Sequence, residues 1–245
     1  MRHIIWLLLI YCLMCQETEA TSVIAVRTSS SIYIAADSKL VTGDHSMTGI
    51  GCKIGVANDV FWGEAGIIQA ANGFDVNSIA RSAMSATGPV DARISSFESN
   101  AALDLGKIMD AIRGENLPYF TQRIGKPALQ MVFAYFDSDV PYLDSISFIT
   151  RIGPASDIII DVIESIFPNK GPQSSEYVTL GYHETIDREI GKFPNIWRDL
   201  GIPLAVRHLI QTEINAVPND VGSPIAIVGI DEAGSHWISK GACGP

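Results

Sequence analysis

A threonine hydroxyl becomes a nucleophile only when something takes its proton, and a threonine that is also a first residue carries its own base. Thr21 is the candidate for that arrangement. Its Oγ is weakly nucleophilic at its free pKa, and a free α-amine with a pKa near ~8 accepts the proton directly or through a water. Two further residues could tune this pair. Asp37 follows small residues in Ala35-Ala36-Asp37-Ser38, and Lys53 sits in Gly51-Cys52-Lys53-Ile54. A lysine among apolar neighbours is costly to bury unless paired, and Asp37 is its natural partner. Such a pair keeps a positive charge beside the hydroxyl, lowers its pKa and orients it. Taken singly, each residue has a plainer reading: Thr21 starts a strand, Asp37 makes a turn and Lys53 lies on the surface.

For Thr21 to be a first residue, the preceding segment must be removed. Residues 1–20 read MRHIIWLLLIYCLMCQETEA: one positive residue near the start, an apolar run over 4–14, a polar stretch, then Ala20. This is the layout of a secretory signal peptide, with an apolar core too short to anchor in a bilayer. Cleavage after Ala20 is therefore expected, leaving 21–245 as one domain that is exported and free of the membrane. A buried N-terminal strand or helix is the alternative reading of 1–20.

Removal of Arg2, Glu17 and Glu19 with the leader changes 17 basic and 27 acidic residues to 16 and 25, a net charge of −9 against −10 for the whole chain. An acidic surface disfavours nucleic acid and anionic membranes. Cys12 and Cys15 leave with the leader. Cys52 and Cys243 remain, and they read equally as a disulfide or as two small apolar residues. His45, His183, His208 and His236 are scattered, without metal-ligand spacing, so no metal site is expected.

The elements that must position these residues follow from periodicity. Ser22–Arg27 carries Val23 and Ala25 on one face and Ile24 and Val26 on the other, which predicts a strand covered on both sides. A turn at 29–31 and a β-branched run at 32–36 complete a hairpin that returns Asp37 toward Thr21. A second hairpin is expected from 52–57 and 60–63, turning at Asn58-Asp59. Residues 67–85 read as a helix with Ile68, Ala71, Ile79 and Ala83 on its apolar side, and 99–113 as a second with Leu103, Ile108 and Ile112 inward. A loop with Pro118 and Pro127 follows, then strands at 129–136 and 145–150. Residues 156–167 remain open between strand and helix. Further strands are expected at 177–181, 224–230 and 235–239, and helices at 185–190 and Ile202–Ala216, with Pro203 in the first turn of the latter. Doubly covered strands and paired helices predict an α+β fold of two sheets between helical layers.

The N-terminal threonine, the AADS segment and the Lys-Ile pair resemble the proteasome β-subunit group of N-terminal-nucleophile (Ntn) hydrolases. In that family an acid lies sixteen residues after the threonine and a lysine thirty-two after it, as Asp37 and Lys53 do after Thr21. The resemblance is tight over 21–66 and loose beyond. It implies a four-layer α-β-β-α sandwich of two antiparallel sheets. Thr21 is then the nucleophile, Asp37 and Lys53 its support, and Gly66, one position early, the backbone donor to the oxyanion. Asp220 and Ser223 match the family's Asp-x-x-Ser near the amine, or read plainly as a turn before a strand. Tyr182 stands where the family has a supporting serine, with His183 after it. Leu40, Gly51 and Glu64 match positions that shape the substrate pocket, and Glu64 would favour a basic side chain there. The activity implied is threonine-type cleavage of peptide amide bonds through an acyl-enzyme, with no cofactor. The family's best-known members form stacked rings fed by ATP-driven unfoldases, and because ATP is scarce outside the cytoplasm a smaller homo-oligomer acting on peptides is expected of an exported chain. A non-peptide amidase and a catalytically inactive scaffold subunit are the competing readings.

Overall fold

Strand β2, Ser22–Arg27, is buried at every position, and its two faces meet two different cores. Val23 and Ala25 pack with Ile34, Phe61, Ala65 and Val132, whereas Ile24 and Val26 pack with Ile186, Val206, Leu209 and Ile210. The even and odd side chains of a strand point to opposite faces, so apolar residues at all these positions require cover on both. The computed structural model describes residues 18–19, 21–42, 46–70, 73–168 and 176–244. The signal-peptide assignment thus lies outside the described residues, except for β1, Thr18–Glu19.

Two five-stranded antiparallel sheets carry the fold. One has the order β11-β2-β3-β12-β13, with β3 at Ser31–Ala36, β11 at Glu176–Gly181, β12 at Ala226–Asp231 and β13 at Gly234–Ser239. The other has the order β10-β9-β8-β7-β6, from β6 at Ile54–Ala57 and β7 at Val60–Gly66 through β8 at Pro127–Asp137 and β9 at Val140–Ile152 to β10 at Ile158–Phe167. A small third sheet joins β1 to β4, Lys39–Thr42, and β5, Met47–Ile50. The isoleucine-rich run near 160 is thereby a strand: it pairs with β9 over its whole length.

Helices α1, Val76–Met84, and α2, Val90–Glu115, share a core with β7, β8 and β9, in which Phe97 meets Phe133 edge-on at 5.1 Å. Helices α4, Glu184–Lys192, and α6, Ile202–Ala216, share another with β2, β3 and β12. Short helices α3, Leu117–Arg123, and α5, Ile196–Leu200, complete the set. Pro203 does sit in the first turn of α6, where its missing N–H costs nothing.

Several expected boundaries move for local reasons. The helix expected from residue 67 begins only at Val76. Ile67 N–H bonds Ala128 O at 2.8 Å, prolonging the β7–β8 pairing, and Asp75 caps the helix by accepting from Asn77 and Ser78 N–H. Ala71 lies outside the described residues. Helix α2 starts right after Pro89, and its inward stripe is Ala101, Leu105, Ile108 and Ile112, leaving Leu103 62% exposed rather than inward. The expected loop at Pro118 holds α3, with the proline in its first turn.

Candidate active site

The β2–β3 register fixes the first half of the site. Val23 pairs with Ala36, which sets Ser22 opposite Asp37. Asp37 N–H donates to Ser22 O at 3.1 Å, and Ser22 N–H donates to Asp37 Oδ1 at 2.9 Å. The carboxylate is thus tied one peptide unit from Thr21. Lys53 arrives from the facing sheet, just before β6, where its carbonyl accepts from Glu64 N–H. Its Nζ donates to the same Oδ1 at 2.8 Å, and both side chains are closed to solvent. Asp37 Oδ2 accepts from Lys39 N–H and Gly222 N–H, each at 3.0 Å. Four donors converge on one carboxylate, which satisfies a buried acceptor-only group. Burial lowers the pKa of Lys53, and the charge and hydrogen bond of Asp37 oppose that shift.

Thr21 is itself buried, its Oγ1 has no hydrogen-bond partner among the described residues, and it lines a cleft of about 320 Å³. In the full-length chain its nitrogen is still bonded to Ala20. Its carbonyl accepts from Tyr182 N–H at 2.8 Å. That approach depends on Gly181, at φ +70°, where a Cβ would lie 2.0 Å from Thr21 O. Gly181 N–H in turn donates to Gln130 Oε1 at 3.0 Å. Gly66 borders the same cleft, at φ +96°, with no room for a Cβ against Ala128 O.

The other sequence-derived candidates fall at different distances from this centre. Asp220 hydrogen-bonds the Tyr182 hydroxyl, whose pKa burial and the Asp220 charge raise. This makes the tyrosine and the aspartate one unit beside the threonine. Lys39 Nζ holds the preceding turn through Pro218 O and Asn219 O. Ser223 is exposed, and neither it nor Asp220 borders the cleft. Leu40, Gly51 and Glu64 are not cleft residues either. The Leu40 side chain covers Gly51, 2.8 Å from where a Cβ would be. Glu64 is buried and accepts from Asn77 Nδ2 at 3.1 Å. Burial first, and the Asp75 charge second, push its pKa up to about 8, so its carboxyl is mostly uncharged near neutrality. That removes the charge on which a preference for basic side chains rested. Residues that sequence reasoning passed over also line the cleft: Val41 and Thr42 of β4, Arg123, Lys126, Gln130 and Glu184.

No protein-family model matches this chain, and no curated protein matches it. Solved structures do. The Anbu (Gly-1) mutant from Hyphomicrobium sp. strain MC1 is similar over 89% of this chain and 87% of its own, with 14% sequence identity and a TM-score of 0.51. At that identity the likeness carries the fold alone: a mixed α/β chain with antiparallel sheets.

Proposed function

We propose that this chain is an exported threonine-type hydrolase that cleaves peptide amide bonds, active once residues 1–20 are removed. The observation that carries the reading is the shared acceptor: Asp37 Oδ1 takes both the Lys53 ammonium and the Ser22 N–H, next to a threonine whose hydroxyl has no other engagement among the described residues. In this reading Thr21 Oγ1 attacks the substrate carbonyl and its proton passes to the freed α-amine. The amine then protonates the leaving nitrogen as the C–N bond breaks, and water hydrolyses the resulting ester. The N–H of Gly66 is assigned to the developing oxyanion, and the Asp37–Lys53 pair to holding positive charge beside the hydroxyl. Asp220, with Tyr182, is assigned to the surroundings of the amine, and Ser223 to the turn that carries it. Residues 21–245 form one domain of four layers, α-β-β-α, in this reading, and its support is the separation of the buried apolar residues into three cores.

Self-association into a homo-oligomer belongs to the same proposal. Its support is a set of exposed apolar residues on edge strand β10, namely Ile159, Val162, Ile163 and Ile166. An inactive scaffold is the competing reading, favoured by Tyr182 in place of a serine. N-terminal sequencing of the exported protein, followed by labelling with an epoxyketone or β-lactone, separates the two. A start at Thr21 and labelling abolished by Thr21→Ala are expected for the enzyme. An intact leader, or no labelling of a chain that starts at Thr21, overturns it.

A further inference from the structure

Two cations and one carboxylate border the cleft beside Thr21, in a chain that is acidic overall. The whole protein has a net charge of −10. Yet Arg123, at the end of α3, and Lys126, in the turn leading to β8, both border this cleft, against the single carboxylate of Glu184. His183, also at the cleft, is engaged by Asp187, with Nδ1 and Oδ2 2.7 Å apart. Lys126 N–H bonds Arg123 O at 3.1 Å, which closes a tight turn and keeps the two cations on one wall.

A second, independent observation concerns what the chain itself lays along the cleft. Strand β1 pairs antiparallel with β4, Thr18 opposite Thr42 and Glu19 opposite Val41, and both β4 residues border the cleft. A short extended stretch, Thr18–Glu19, is therefore already the partner of the cleft edge, bound through main-chain pairing, and one of its two residues is a glutamate.

We propose that this cleft selects acidic peptides, in which a carboxylate lies within a few residues of the amide presented to Thr21, with Arg123 and Lys126 as the residues that recognise it. This rests on the hydrolase reading for the identity of the scissile bond, but the selectivity is a binding property that can be read without turnover. Two sources supply a carboxylate: a glutamate or aspartate side chain, or the free α-carboxylate of a peptide C-terminus.

The test uses protein recovered from expression of the full chain, carrying Thr21→Ala so that nothing is consumed. Binding of fluorescent peptides is measured by anisotropy for three isosteric sets: Glu against Gln at each position flanking the central amide, Lys at the same positions, and a C-terminal acid against its amide. Tighter binding of the carboxylate form, on the order of fivefold, reduced by high salt and lost in Arg123→Gln/Lys126→Gln, is expected. Lys126→Glu reverses the order in favour of the Lys peptides. Preference confined to the C-terminal acid identifies the α-carboxylate as the ligand group, and preference for internal Glu identifies the side chain. Equal binding of Glu and Gln peptides together with equal binding of acid and amide overturns the inference, whether or not the wild-type protein cleaves either. Carboxylate-selective binding by a protein whose Thr21 no epoxyketone labels keeps the inference and removes the hydrolase reading instead.

Discussion

The ammonium of Lys53 lies 2.8 Å from Asp37 Oδ1, and neither side chain has measurable contact with solvent. A buried pair of this kind costs desolvation on both sides, and removing one member strands the other. Asp37→Asn is therefore expected to destabilise the fold by about 3–5 kcal/mol, because it leaves Lys53 charged, buried and facing an amide. The double variant Asp37→Asn/Lys53→Met, which removes both charges at similar volume, is expected to recover most of that loss. It should not recover peptide cleavage, which falls by roughly 10²-fold or more once the charge beside the hydroxyl is gone. Thermal melts and single-turnover labelling of Thr21 measure the two effects separately. Single and double variants of equal stability would sink the argument that the pair is kept for chemistry rather than for folding.

Gly181 has a similar status on the opposite side of Thr21. At φ +70°, with a Cβ placed 2.0 Å from Thr21 O, this position excludes every side chain. Gly181→Ala is expected to cost roughly 1–3 kcal/mol from the left-handed conformation alone, with the carbonyl clash added to it. Labelling of Thr21 should slow by more than the melting point implies, because the shift is imposed directly on the nucleophile's own residue. Variants of Gln130 offer the graded control: Gln130→Leu loses the bond to Gly181 N–H but keeps the glycine, so a smaller effect in the same direction is expected.

How much of this was legible in the sequence depended on whether the signal was local. The β2–β3 hairpin was legible because Ser22–Arg27 is apolar on both faces, and its register then places Asp37 at Ser22 without further assumptions. The Asp37–Lys53 pairing followed from the cost of burying a lysine. The start of α1 was missed because Ile68 keeps a helical spacing with Ala71, Ile79 and Ala83, although Asp75, whose carboxylate accepts from the N–H groups two and three residues on, is the cap signal that decides the boundary. Strands β4 and β5 gave no alternation to read: each spans four residues, and Met47 and Ile50 of β5 are exposed. The cleft wall was invisible for a different reason. Arg123 and Gln130 come from one stretch and Gly181 and Glu184 from another, and only the packing of the two sheets brings the two together.

The raised pKa of Glu64 gives a pH dependence of defined sign. Its folded value of about 8 lies above the ordinary 4.5, so the native state holds a proton that the unfolded chain has released. Stability is then highest below about pH 4.5 as far as this group is concerned. It declines as pH rises to about 8, with a slope of at most ~1.4 kcal/mol per pH unit. Glu64→Gln keeps an oxygen for Asn77 Nδ2 and cannot ionise. The variant is expected to flatten the decline between pH 5 and 8 and to exceed the wild type in stability at pH 8, read from denaturant midpoints across that range. Asp144, also raised to about 8 by burial and by its hydrogen bond with Glu164, contributes in the same direction. Glu64→Gln is thus expected to remove part of the slope, and an unchanged slope would contradict the assignment to Glu64.

Cys52 and Cys243, left open as a pair by the sequence, form a disulfide. The bond joins the residue next to Lys53 to the C-terminal segment across 191 residues of chain. Closing a loop of that length reduces the entropy of the unfolded state by an amount worth up to about 5 kcal/mol. Its position matters as well as its length. Residues 51–53 belong to no strand, and their main chain is held by Gly51 N–H on Ser38 O and by Lys53 O accepting from Glu64 N–H. Cys243→Ser is therefore expected to lower the melting temperature and, at temperatures where the fold persists, to slow labelling of Thr21 through a looser Lys53. Wild-type protein treated with reductant should match the variant in both respects, while the variant itself should not respond to reductant. A variant that melts lower but labels at the wild-type rate would assign the bond to stability alone and leave the placement of Lys53 to its ion pair with Asp37.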